Sequence, residues 1–218
     1  MTLALLRYFA ADALRAQRWM APVLLFGISA VVLGAGPGPA LPVYGATSAA
    51  LLPAALWLTV AVINSEDPVQ AAITTVTAGS LLRARLAQAA VAFGACLPLA
   101  LLGTAWPLIT GHPAGLAVAA AGLAAHLLAS AAGLAFGSVL SRPVLDRRAW
   151  AVVIGAACCL AEVLVPGAPP VGQLVHAFTL SASGRPGLGG PLAVATAGTL
   201  ALTVAGVGGG YAIARGRA

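Results

Sequence analysis

The sequence predicts an all-α, polytopic membrane protein. It has about six transmembrane helices, an amphipathic N-terminal helix and a re-entrant outer segment before the last span. Composition is the first reason. Of 218 residues, 61% are hydrophobic and 7% charged, whereas a soluble domain carries about 25% charged residues. So few charges cannot cover a water-facing surface. The second reason is the alternation of long apolar runs with short polar islands; spans of about 20 residues plus short loops leave room for roughly six. The third is the placement of the basic residues. All 11 are Arg, and they lie at the ends of apolar runs, not on the single solvated face that a nucleic-acid binder would use. Residues 1–218 are expected to form one membrane domain with no separate soluble unit.

Residues 2–19 read as an amphipathic lead-in helix. Arg7, Ala11, Arg15 and Arg18 share one face, and Leu3, Leu6, Ala10, Ala13 and Leu14 another. Tyr8 and Trp19 suit the headgroup level. The competing reading is a cleaved leader, against which stand the long first region and its Asp12. The first span covers about residues 19–33, and the glycine- and proline-rich stretch 34–39 must be a loop. The second span covers about 44–63. The third covers about 86–110, with Pro98 and Pro107 expected to kink or shorten it. A tight turn at Gly111, His112 and Pro113 leads to the fourth span, about 115–140. A second polar island, 141–148, precedes a short fifth span, about 150–165, which reaches roughly 24 Å across a core of roughly 30 Å. The sixth covers about 191–213. The connection 166–190 contains an amphipathic piece, 171–180, that is too short to span and suits a re-entrant or surface-lying helix.

The first polar island, 64–85, has its own start and stop signals. Asp67 can cap a helix with Pro68 at its first position, where a missing N–H costs nothing. Glu66 and Asp67 place negative charge at the positive end of the helix dipole. Gly79 can end the helix and Ser80 can cap the next. Val69, Ala72, Ile73 and Val76 fall on one face; Gln70, Thr74 and Thr77 fall on the other. Such a helix, lying flat at a membrane surface, either docks a cytoplasmic partner or simply connects two spans and seals the interface.

With six spans, Arg7, Arg15, Arg18, Arg83, Arg85, Arg142, Arg147, Arg148, Arg215 and Arg217 fall on one side and only Arg185 on the other. The positive-inside rule then places both termini in the cytoplasm. Heavy use of Ala, Gly and Arg suggests a GC-rich bacterial genome, hence a bacterial cytoplasmic membrane.

Glu162 and His126 are the ionisable residues inside spans, where a charge costs about 2.5–3.5 kcal/mol and marks a functional candidate. Glu162 can serve a substrate path or hydrogen-bond the outer segment; His126 can serve a path or be a neutral imidazole bonded to a neighbouring helix. The absence of Lys excludes a Walker A motif and a Schiff-base lysine in this chain. Cys96, Cys158 and Cys159 lack metal-ligand spacing and read as small buried hydrophobes. There is no His-Glu-x-x-His or Gly-x-Ser-x-Gly run and no pair of intramembrane aspartates, so an intramembrane enzyme is not expected. Gly133/Gly137 and Gly206/Gly210, each four apart, can bring helices close together.

The lead-in helix, the cytoplasmic helix between the second and third spans, and the short fifth span with its outer segment together resemble the permease subunits of bacterial ABC-type exporters. The branch resembled has six spans and no fused ATPase. The stretches Ser65-Glu66-Asp67-Pro68 and Thr77-Ala78-Gly79-Ser80 resemble that family's first intracellular loop. The resemblance covers nearly the whole chain as architecture. It implies a coupling helix at Glu66–Thr77 that touches a separate ATPase through Glu66, Asp67, Pro68, Val69, Gln70, Ile73 and Val76, with Arg7, Arg15 and Arg18 of the lead-in nearby. It implies that ATP and Mg2+ belong to the partner, that this chain carries no cofactor, and that a second permease subunit completes an alternating-access path for a hydrophobic or amphipathic substrate. The alternative is an ATP-independent carrier or channel. A carrier usually shows broken spans paired between two similar halves, and no convincing internal repeat is found.

Overall fold

The computed structural model describes residues 2–142, 144–145, 147–165, 170–182 and 187–216. Expectations resting on Asp146, Arg185 and Arg217, and on parts of the 166–190 connection, lie outside them. The described residues form nine helices: α1 (Thr2–Arg15), α2 (Met20–Leu33), α3 (Ala40–Ile63), α4 (Pro68–Ala78), α5 (Leu81–Ile109), α6 (Leu116–Leu140), α7 (Arg148–Leu164), α8 (Val171–Ala182) and α9 (Gly189–Gly216). Each apolar run anticipated above is one of them. Four helices, α3, α5, α6 and α9, are long and apolar enough to cross a membrane, and α1 and α2 add a fifth span if that pair, bent by 76°, counts as one. Pro98 and Pro107 do not shorten α5, which runs unbroken for 29 residues. Prolines are tolerated in membrane helices because neighbouring groups take up the freed carbonyls.

α3 is the axis of the bundle. Leu51, Leu52, Ala54 and Ala55 along it are fully enclosed, and α2, α5, α6 and α8 pack around it. α6 lies parallel to α3 at very short range because Gly133 and Gly137 lack side chains. A Cβ at Gly133 would stand 2.6 Å from the Ala55 Cβ, and one at Gly137 2.5 Å from the Thr59 Cβ. α9 uses the same device against α6: a Cβ at Gly206 would stand 2.6 Å from the Ala135 carbonyl oxygen. Both glycine pairs therefore pack helices within one chain. Gly137→Val is expected to destabilise the bundle by about 1–3 kcal/mol, the usual range for overpacking, and to lower Tm in detergent. An unchanged Tm would mean that α3 and α6 are not in this contact.

The helices meet in polar contacts at two ends. At one, the Arg18 guanidinium donates to the Asn64 carbonyl (3.1 Å), the Arg142 N–H donates to Asn64 Oδ1 (3.0 Å), and Arg85 donates to the Arg142 carbonyl (2.8 Å). These bonds gather the start of α2, the end of α3, the start of α5 and the end of α6. α9 runs parallel to α6, with Thr203 donating to the Ala131 carbonyl (3.3 Å) and Gly210 beside Ser138, so Arg215 ends at the same level. At the opposite end, His112 Nε2 lies 2.8 Å from the Gly36 carbonyl, and Trp106 packs on Gly34. α2 thus leads from the arginine end to the other in 14 residues, whereas α7, 17 residues long, meets α8 at the level of Leu52 and Ala129, midway along α3 and α6, and α8 continues from there to Tyr44 and Ala40.

Candidate functional site

α4 is built as its sequence requires. Asp67 Oδ1 accepts the Gln70 N–H (2.9 Å), Pro68 occupies the first turn, and Gly79 closes the helix in the left-handed region at φ 75°. Ser80 then caps α5, accepting the Arg83 N–H (3.2 Å). The two faces of α4 point in unexpected directions. Val69 is 71% exposed, Ile73 62% and Val76 82%. The side that turns toward the protein carries Ala71, Thr74, Thr75 and Ala78, while Gln70 and Thr77 are exposed.

What holds that face is a cluster around Glu66. Its carboxylate is buried and accepts from the Tyr8 phenol (2.8 Å) and the Thr74 hydroxyl (2.5 Å). Gln70 Nε2 in turn donates to the Tyr8 oxygen (2.6 Å). Tyr8 belongs to α1, so the cluster clamps the lead-in helix to α4, with Phe9 fully buried beside Tyr8 in an edge-on ring contact. Glu66 is thus occupied by internal donors, and Gln70, though exposed, is turned to Tyr8. Tyr8 and Thr74 complete this cluster, a contact that the sequence does not reveal. The nearest signal is the polar face Gln70–Thr74, which needs acceptors wherever it is covered.

Burial first, and then the hydrogen bond to Glu66, push the Tyr8 phenol above its ordinary value near 10. A raised phenol pKa means that the neutral form is preferred in the folded state. Its contribution is therefore complete below pH 10 and lost as pH rises through the folded-state value. The expected result is an alkaline release of α1 from α4, followed by a fluorophore on α1, that shifts or disappears in Tyr8→Phe.

The lead-in arginines separate. Arg7 and Arg15 are exposed, whereas Arg18 lies beyond α1 and is tied to Asn64.

His126 is fully enclosed. Its Nδ1 faces the Gly122 carbonyl (2.7 Å) and its Nε2 lies 3.1 Å from the Thr47 hydroxyl. A carbonyl can only accept, so Nδ1 carries the proton, and the single Thr47 hydroxyl proton is shared between Nε2 and the Val43 carbonyl, 2.8 Å away. Tyr44 meets the imidazole edge-on, and Gly103 approaches it so closely that any side chain there would collide with Nε2. This is a neutral, hydrogen-bonded imidazole that locks α3, α5 and α6 together, and neither of the two main hollows of the chain is lined by it. Thr47→Val, which leaves Nε2 without its donor, is expected to cost about 1–3 kcal/mol, read as a lower Tm; an equal Tm would show that the pair is not formed.

Glu162 is buried near the end of α7 and accepts the Val171 N–H at the start of α8 (3.3 Å). An acidic group there satisfies one of the free donors of a helix N-terminus. Gly172 sits directly on the Glu162 carbonyl, where a Cβ has no room. Glu162 thus joins the short α7 to α8, the structural alternative considered for it.

Two apolar hollows open on the flanks. One, about 610 Å³, lies between α1, α2, α3 and α5; the other, about 550 Å³, lies between α2, α3 and α7 with Arg18, Asn64 and Arg142 at its polar end. Among the described residues no group of His, Cys, Asp and Glu is arranged to hold a metal ion. No family model, curated protein or solved structure matches the chain.

Proposed function

We propose that this chain is the permease subunit of an ABC-type exporter, driven by a separate ATPase that docks on α4. The carrying observation is the orientation of α4. Gln70 and Thr74 are held by Tyr8 and Glu66, and Val69, Ile73 and Val76 are left outward as a mostly exposed ridge. An apolar ridge on a capped helix, at the end of the bundle where the arginines gather, fits a groove on a cytoplasmic protein. The chain crosses the membrane six times in this reading, with α2 and α7 as short spans. The passage of α2 from one polar end of the bundle to the other supports that count, and α8 fills what α7 leaves uncovered. Both termini are then cytoplasmic, in a bacterial inner membrane. A second permease copy or homologue completes the path, and ATP and Mg2+ stay with the partner.

The test is whether a P-loop ATPase co-purifies with the chain from its own cells, followed by transport in proteoliposomes. Transport that needs ATP and the second subunit supports the reading. Transport driven by an ion gradient in the purified chain alone would favour the secondary-carrier alternative instead. A role for α4 as a plain interfacial connector would show as loss of membrane stability, not of complex, when its ridge is made polar.

A further inference from the structure

The hollow between α1, α2, α3 and α5 has a shape and a charge pattern of its own. Because α1 bends away from α2 by 76°, it roofs a channel that runs from the bend along α5. On the α5 side the wall is Val91, Gly94, Ala95 and Pro98, one helix face extending about 10 Å along the axis. Leu58 of α3 and Leu99 of α5 close the bottom and are almost fully covered. Arg7 and Arg18 line the same hollow and are exposed, and no acidic side chain lines it. Arg18 lies at the polar end of the bundle, through its bond to Asn64. The hollow is therefore apolar in depth and doubly cationic at its rim. The chain as a whole carries a formal +6.

From this geometry we infer a binding site for one anionic phospholipid of the bilayer, its acyl chain lying along Val91, Gly94 and Pro98 and its phosphate held by Arg7 and Arg18. Apolar walls with basic residues at the headgroup level are the chemistry that retains an anionic lipid between membrane helices. Gly94 is the position that decides how deep the lipid reaches. A Cβ there meets nothing within 4 Å, so the glycine is not required for helix packing and instead leaves room along the α5 wall of the channel. A lipid seated here touches the lead-in helix, and so stabilises the α1 arm that Tyr8 clamps to α4. The inference does not depend on what docks on α4.

The test uses the whole protein in nanodiscs of equal parts phosphatidylglycerol and phosphatidylcholine, extracted gently and weighed by native mass spectrometry. The protein is expected to retain phosphatidylglycerol in preference to phosphatidylcholine. Arg7→Gln, an exposed change that leaves the fold alone, is expected to reduce that preference about fivefold, the factor that one basic residue near a charged headgroup contributes. Gly94→Leu fills the channel and is expected to abolish retention of both lipids with an unchanged Tm in detergent. Two outcomes would overturn the site: equal retention of the two lipids by the unaltered protein, or undiminished phosphatidylglycerol in a folded Gly94→Leu. A third would also do so, a change of oligomeric mass in Gly94→Leu, because it would mean that a second copy of the chain occupies the hollow. If Gly94→Leu fails to fold, Arg7→Gln decides alone by whether the preference falls.

Discussion

Ile73→Asp is expected to release the ATPase subunit while leaving the membrane chain intact. Ile73 stands at the centre of the ridge, between Val69 and Val76 on successive turns of α4, and is 62% exposed. A charge at the centre of an apolar contact is left desolvated and unpaired in the complex. Central anchors of this kind commonly carry 2 kcal/mol or more, so affinity between the two subunits should fall about thirtyfold or further. Because Ile73 is mostly exposed, the stability of the isolated chain should change by no more than about 0.5 kcal/mol. Surface-immobilised ATPase, titrated with the permease in nanodiscs, measures the first quantity; a thermal melt measures the second. Undiminished binding would remove the ridge as the docking face. Charge reversal at Glu66 or Asp67 would be a poor substitute. Glu66 is an internal acceptor and Asp67 is the cap of α4, so either change damages the helix before it probes the partner.

Glu66→Ala is expected to have its largest effect on the chain itself. It leaves the Tyr8 phenol and the Thr74 hydroxyl without their acceptor. Both are half-buried, so water replaces part of what is lost, and the cost is about 1 kcal/mol. The loss should be concentrated at the α1–α4 junction. Hydrogen exchange would show it as faster exchange in α1 and α4, with α3 and α6 unchanged. Glu66→Gln keeps an acceptor of the same shape and should recover most of the protection. In a complete transporter, Glu66→Ala should weaken coupling between ATP hydrolysis and transport more than it weakens subunit binding, since the ridge residues are untouched. Uniform acceleration of exchange across the whole bundle would show that the clamp is not a local device. The paired variants Tyr8→Phe and Thr74→Val, combined with Glu66→Ala in double-mutant cycles, would apportion the cluster between its members.

The two effects separate cleanly because α4 has inverted its polarity. An isolated amphipathic helix at a protein surface turns its apolar stripe inward. In this chain the inward side of α4 rests on α5 and carries Ala71, Thr74, Thr75 and Ala78, with Thr74 bonded to Glu66 and Gln70 to Tyr8. The apolar stripe is left over, which is what makes it available to another molecule.

The sequence by itself determined the nature and order of the helices. Seven percent charge forbids a soluble exterior, and uninterrupted apolar runs with no water to bond their backbone must be helical. The caps of α4 were legible as well, because Asp67, Pro68, Gly79 and Ser80 act on backbone atoms within four residues of themselves. Tertiary structure decided the rest. Periodicity identified two faces on α4 but not which one turns inward, since that depends on a tyrosine 58 positions from Glu66. The partners of His126 and Glu162, Thr47 and Val171, are likewise chosen by which helices lie side by side. Those neighbours are set by where glycine lets two backbones approach, a property of pairs of helices that no single stretch of chain contains.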